Sequence, residues 1–128
     1  MKHLHQIAAL IEVPTGLALL IVPDVVVKLL LGAEISGAGI PLGRITGVAL
    51  LALGIACWLA RGDTKSRAAR GLSVAMLIYN FGVAAILGFA GIQSQPTGIA
   101  LWPAVMLHAA MGVWCARVLI VSAKTAQP

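Results

Sequence analysis

Three polar side chains lie in the middle of long apolar runs of this 128-residue chain: Glu12, Asn80 and His108. A carboxyl, an amide and an imidazole can hold a proton or bind the polar group of a ligand. Such groups are costly in hydrocarbon and are usually kept for a partner or a function. What they can do together depends on the helices that position them.

The composition indicates the environment of these groups. Apolar residues make up 60% of the chain and charged residues 10%, and the mean hydropathy is +1.00. Soluble domains contain roughly 25% charged residues, so we predict an integral membrane protein with a single domain over residues 1–128. The net charge is +5. No aromatic and basic surface accompanies it, so we expect no nucleic-acid partner.

The apolar runs predict an all-α fold, an integral membrane four-helix bundle. Each expected span is near the length of about 20 residues that crosses a bilayer. The spans are residues 3–22, 40–60, 69–89 and 98–121. Asp24 to Leu31 is too short to span and too apolar for water, which predicts a short interfacial helix. Alternatively, the first helix continues to Leu31 with a bend at Pro23.

The lysines and arginines predict the orientation. With a cytoplasmic N-terminus, seven of the nine lie inside and only Lys28 and Arg44 lie outside. The seven are Lys2, Arg61, Lys65, Arg67, Arg70, Arg117 and Lys124. The positive-inside rule therefore favours a multi-pass protein with both termini in the cytoplasm, and we expect it in a bacterial inner membrane.

The three buried polar residues have similar depths. Glu12, Asn80 and His108 lie nine, eleven and ten residues into their spans, which is on the order of 15 Å at about 1.5 Å per residue. We therefore expect a cluster at the midplane. Tyr79 could join from the side, and Arg44 could either reach Glu12 or extend to the headgroups.

Such a cluster has two interpretations. Glu12 paired with His108 could hold a mobile proton or bind the polar group of a ligand. Alternatively, the polar residues bond only to each other and to nearby backbone, which fixes helix register at around 0.6 to 2 kcal/mol per contact.

Glycines mark one face of the second span. Gly39, Gly43 and Gly47 form two GxxxG steps, and Gly54 lies farther along the same side. Small residues let helix backbones approach closely in lipid. The glycine face is therefore either the seam within the bundle, which we favour, or a docking face for another chain.

Metal, haem and catalytic sites have little support. His3 and His5 lack a third ligand, so we predict no metal site, and His108 lacks the second deep histidine that a bis-histidine haem needs. Cys57 and Cys115 are expected to be reduced packing thiols. No catalytic motif occurs, and no cofactor is strongly implied, so a non-catalytic protein is favoured.

The segment ALIEVPTG around Glu12 resembles the first-helix signature of the small multidrug resistance transporters. That resemblance implies four short helices and proton-coupled export that uses Glu12, the only position transferred. The chain departs from that family in its long glycine-rich first connection and its strong charge bias.

Size and small-residue faces together favour an accessory or ligand-binding subunit of a larger membrane assembly, with the bilayer and other subunits or a second copy as partners. The alternatives are a small proton-coupled transporter or channel that uses Glu12, and a lipid-modifying enzyme that depends on His108.

Overall fold

The computed structural model describes residues 1–63, 65–93 and 97–124 and is all-α over those ranges. The helices are α1 (Lys2–Ile21), α2 (Pro23–Leu31), α3 (Gly39–Ala60), α4 (Arg67–Gln93) and α5 (Leu101–Lys124). By length and composition, α1, α3, α4 and α5 could each cross a membrane. The predicted fold class, a helical bundle with four spans and one short helix, is confirmed.

The short helix α2 is separate from α1. Val22 leaves the helical region at φ −130° and ψ 59°, and Pro23 then starts α2, where the missing N–H of a proline costs nothing. Gly32 ends α2 with a φ of 70°, a left-handed conformation that glycine adopts without a steric penalty. The alternative of one continuous, bent first helix is therefore wrong.

The fourth span begins later than the sequence predicts. Residues 97–100 precede α5, and the N–H of Ala100 donates to the carbonyl of Leu29 at 2.9 Å. A Cβ on Gly98 would collide with that same Leu29 carbonyl. This backbone contact with α2 holds residues 97–100 outside the helix.

The helices form two antiparallel pairs, of which the first is α1 with α3. Gly16 and Gly47 face each other, and a Cβ added to Gly47 would lie 2.7 Å from the Gly16 oxygen and 2.6 Å from the Leu20 nitrogen. Two glycines therefore let the backbones touch. Gly54 meets Val13 farther along, and Gly43 meets Pro23 of α2.

The second pair is α4 with α5, where Gly112 lies under the ring of Phe81 and Gly91 lies against Leu101. The two pairs are joined by side-chain contacts between α1 and α4, which run parallel. The short helix α2 packs on α1, α3 and α5. It therefore bridges the two pairs at the end of the bundle where α1 finishes and α5 begins.

Candidate functional site

Glu12 lies on the face of α1 that is turned toward α4. Its side chain is 3% exposed. The Tyr79 hydroxyl donates a hydrogen bond to Glu12 Oε2 at 3.2 Å. No side-chain nitrogen of Lys, Arg or His forms an ion pair with Glu12 in the described residues. A hydroxyl, rather than a cation, is therefore the partner of this carboxyl.

Asn80 and His108 form a second bond beside it. Asn80 Nδ2 donates to the carbonyl of Met76 at 2.8 Å, so its Oδ1 is the atom that faces His108 Nδ1, at 2.9 Å. Because an amide oxygen only accepts, His108 Nδ1 carries the hydrogen, and in a neutral ring Nε2 has the free lone pair. Asn80 therefore sets the tautomer of His108.

Tyr79 connects these two bonds. Its ring meets the ring of His108 edge to face, with centroids 5.5 Å apart and an interplanar angle of 82°, a favourable arrangement for two aromatic rings. The direct pair of Glu12 with His108 is not formed within the described residues: Glu12 is bonded to Tyr79, and His108 is bonded to Asn80.

The structure thus brings together four of the five residues that the sequence suggested, and Arg44 is the exception. The Arg44 side chain is exposed. Glu12 has the Tyr79 hydroxyl as its partner, and no ion pair joins Arg44 to Glu12 within the described residues. Of the two orientations that the sequence left open for Arg44, the structure has the exposed one, and Arg44 does not reach Glu12.

A cavity of about 370 Å³ lies between the two helix pairs, beside the cluster. Glu12, Tyr79 and His108 line it, together with the two threonines Thr15 and Thr46. The rest of its wall is apolar and includes Leu29 and Leu30 of α2, Leu50 of α3, Val83 and Leu87 of α4, and Ala104 of α5. It is thus an apolar space with a few polar groups, the usual composition of a ligand site.

A second polar contact joins α1 and α4, between two residues of the polar helix faces that the sequence had not paired. His5 and Ser73 are both 0% exposed, and His5 Nε2 lies 3.0 Å from Ser73 Oγ. Ser73 Oγ also lies 3.1 Å from the carbonyl of Ala69, so when Ser73 donates there, the tautomer of His5 with its hydrogen on Nε2 donates to Ser73. His5 Nδ1 is then the one buried side-chain nitrogen or oxygen without a partner in the described part of the chain.

The spacing of the polar residues could have revealed this contact. His5 precedes Glu12 by seven residues, and Ser73 precedes Asn80 by seven. Seven residues are about two turns, so each pair lies on one face of its helix. Two parallel helices with matching polar faces will place both sets of side chains opposite each other.

No ligand set for a metal is present in ranges 1–63, 65–93 and 97–124, where no group of three or more His, Cys, Asp or Glu side chains could hold an ion. Cys57 and Cys115 are free thiols that are fully buried in the core. They pack with Leu4, Met76 and Met111, so they fill space near the end of the bundle where α1 begins and α5 ends.

The loop before α4 has a polar cap of its own. Asp63 Oδ1 accepts from the backbone N–H groups of Lys65 and Ser66 at 3.2 and 3.0 Å, and Ser66 Oγ accepts from the N–H of Ala69 at 3.1 Å. The hydrogen bond from the Ser66 hydroxyl, followed by those two backbone bonds, lowers the pKa of Asp63 below its ordinary value. These bonds stabilise the start of α4.

Comparisons with known proteins do not assign a function: no family model, no curated protein and no solved structure matches the chain.

Proposed function

We propose that this protein is a small, non-catalytic membrane protein that binds an amphipathic molecule between its two helix pairs, as the ligand-binding or accessory subunit of a larger membrane assembly. The single observation behind the proposal is the cavity of about 370 Å³ at whose wall Glu12, Tyr79 and His108 meet. We further propose that both termini are cytoplasmic in a bacterial inner membrane, on the basis of the charge bias.

The packing of the helices supports a binding site over a simple structural core. Glu12 and His108 each have one partner within the protein, Tyr79 and Asn80, and both also border open space. A contact that served only to fix helix register would gain most from being fully packed. The apolar walls favour a ligand with an apolar body, and the polar groups can bind its head.

The binding site is tested by a substitution that places a larger side chain in the cavity. Ala104 lines it one turn from His108 on α5, whereas Ala110 on the same helix is exposed. The wild type, Ala104→Phe and Ala110→Phe are purified from native membranes and examined by native mass spectrometry and lipid analysis. We expect a small molecule that copurifies at near one to one with the wild type and with Ala110→Phe but not with Ala104→Phe. Equal content in all three variants would refute the binding site.

The subunit role requires a separate measurement. A protein of this role copurifies with a stoichiometric partner, or with a second copy of itself, in mild detergent. A chain that stays monomeric and retains no protein partner would remove the subunit role and leave the ligand site in place.

A second candidate is proton-coupled transport through Glu12, which is favoured by the position of this carboxyl at the cavity wall. Liposomes that contain the wild type or Glu12→Gln separate the two functions. Proton-driven flux that is present in the wild type and lost in Glu12→Gln supports transport, and no flux in either sample removes it.

A further inference from the structure

The threonines of the cavity wall have no hydrogen available for a ligand. Thr15 Oγ1 donates to the carbonyl of Ile11 at 2.8 Å, and Thr46 Oγ1 donates to the carbonyl of Leu42 at 2.9 Å. Each hydroxyl thus uses its one hydrogen on its own helix, the usual behaviour of threonine in a membrane helix. Both oxygens can still accept.

Tyr79 and His108 in the cavity wall also have no hydrogen available for a ligand. Tyr79 gives its hydroxyl hydrogen to Glu12 Oε2, and His108 gives its Nδ1 hydrogen to Asn80 Oδ1. Apart from the Glu12 carboxyl itself, every side-chain donor that lines the cavity is therefore engaged within the protein.

Two acceptor atoms remain open at the cluster. Glu12 Oε1 and His108 Nε2 make no hydrogen bond within the described residues. Neither atom is fully buried, because His5 Nδ1 is the one side-chain nitrogen or oxygen in the described residues that is both fully buried and without a hydrogen bond. Both side chains line the cavity, so a ligand there lies beside the two groups that carry these open atoms. An acceptor that is shielded from water and lacks a donor carries a penalty of desolvation.

On the basis of the proposed function, we infer that the ligand carries a hydroxyl group on an apolar body, and that this hydroxyl donates its hydrogen to His108 Nε2 beside Glu12 Oε1. The hydroxyl oxygen can at the same time accept a hydrogen from Glu12 in its carboxylic acid form. The apolar body lies along the walls that Leu29, Leu50 and Leu87 provide.

Other head groups fit less well. An ether, ester or ketone has no hydrogen to donate, so it would leave His108 Nε2 unpaired. An ammonium carries three donors and a full charge into an apolar space where one oxygen of Glu12 is already bonded to Tyr79. A hydroxyl has one hydrogen for His108 Nε2 and an oxygen that accepts from a protonated Glu12, so it matches the two open atoms.

The test compares probes that differ by one hydrogen-bond donor. The wild type is reconstituted in lipid nanodiscs with ¹⁵N-labelled histidine and titrated with para-nonylphenol or its methyl ether, and with dodecanol or its methyl ether. Binding is followed by the chemical shift of His108 Nε2. We expect each hydroxyl probe to bind about tenfold more tightly than its ether, the usual effect of leaving a buried partner unmade.

The two probe pairs also separate two sources of the same chemistry. If para-nonylphenol binds more tightly than dodecanol, the result supports a ring-bearing ligand such as a phenol or a quinol. If dodecanol binds more tightly than para-nonylphenol, the result supports a membrane lipid alcohol. Equal affinity of hydroxyl and ether in both pairs would overturn the hydroxyl inference. Tighter binding of dodecylamine than of dodecanol would overturn it in favour of a cationic ligand.

Variants separate this inference from the proposed function. His108→Phe keeps a ring against Tyr79 and removes Nε2, so we expect it to lose the preference for hydroxyl over ether while it still binds both, as measured by native mass spectrometry. Ala104→Phe should bind neither probe. If the wild type binds no probe at all, the site itself fails; if it binds hydroxyl and ether alike, only the head-group assignment fails.

Discussion

Tyr79 of α4 donates a hydrogen bond to Glu12 of α1 at 3.2 Å, and this bond joins the two antiparallel helix pairs beside the cavity. Its neighbour on the same two helices is the bond between His5 and Ser73. Two polar contacts, about two turns apart, therefore hold α1 and α4 in parallel register.

Tyr79→Phe should test the contribution of this bond. The ring and its contact with His108 remain, but Glu12 Oε2 loses its donor. We expect the free energy of unfolding to fall by about 1 kcal/mol, since hydrogen bonds between membrane helices are modest. The measurement is equilibrium unfolding in mixed micelles of lipid and detergent.

A double-mutant cycle supplies the control. Tyr79→Phe combined with Glu12→Leu should cost less than the sum of the two single changes, because the two side chains are bonded. Tyr79→Phe combined with Ser73→Ala should be additive, because no bond joins Tyr79 to Ser73. Additivity in both pairs would contradict the direct link between Tyr79 and Glu12.

Ser73→Ala should destabilise the bundle more than a typical hydrogen-bond deletion. His5 is fully buried, and one of its nitrogens already lacks a partner. The substitution would leave the second nitrogen unsatisfied as well, with an expected cost of roughly 1–3 kcal/mol. Unfolding measured as above should show His5→Leu with Ser73→Ala to be more stable than Ser73→Ala alone. A double variant less stable than the single one would argue against the pair.

Gly47→Ala should separate α1 from α3. The added Cβ would lie 2.6 Å from the Leu20 backbone nitrogen, and backbone cannot move aside as a flexible side chain can. Overpacking of this kind typically costs 1–3 kcal/mol. Thermal unfolding in detergent, followed by circular dichroism, measures the loss.

Gly82→Ala is the matched control for that change. A Cβ at Gly82 has no neighbour within 4 Å, and alanine is favoured over glycine in a helix by roughly 0.5–1 kcal/mol. We therefore expect Gly82→Ala to be neutral or slightly stabilising. If Gly47→Ala behaved in the same way, the close contact of α1 with α3 would be disproved.

Asp63 should stabilise the loop before α4 in a pH-dependent manner. Its pKa is lowered in the folded protein, with the Ser66 hydroxyl bond as the largest cause. The stabilisation is therefore present above the pKa of the unfolded chain and is lost as the pH falls through the lower, folded value. Ser66→Ala should raise the pKa of Asp63 toward its ordinary value, as measured by the carboxyl ¹³C shift. Ser36→Ala, in the loop before α3, should leave that titration unchanged.

Much of the fold could be predicted because it follows from local properties of the chain. The length of each apolar run predicts a span, and Pro23 and Gly32 mark the two ends of α2. The start of α5 could not be predicted, because it depends on the bond from Ala100 to Leu29, which joins residues far apart in the chain.

The polar cluster was predictable only in part. Depth along a helix follows from a residue count, which is why Glu12, Asn80 and His108 were expected at one level. Rotation around a helix follows from what each helix packs against, so the exposed position of Arg44 and the central position of Tyr79 could not be read from spacing.

Four apolar helices with a few polar groups at similar depth follow directly from the order of residues, because hydrophobicity and helical rise are local properties. Which polar atoms are bonded and which stay open depends on the assembled bundle. The pairing of α1 with α3 and of α4 with α5 leaves a cavity between the pairs. Beside it, the Tyr79 hydroxyl donates to Glu12, and Asn80 Oδ1 accepts from His108. Those outcomes depend on how the pairs meet, since a hydrogen bond requires two particular atoms within about 3 Å.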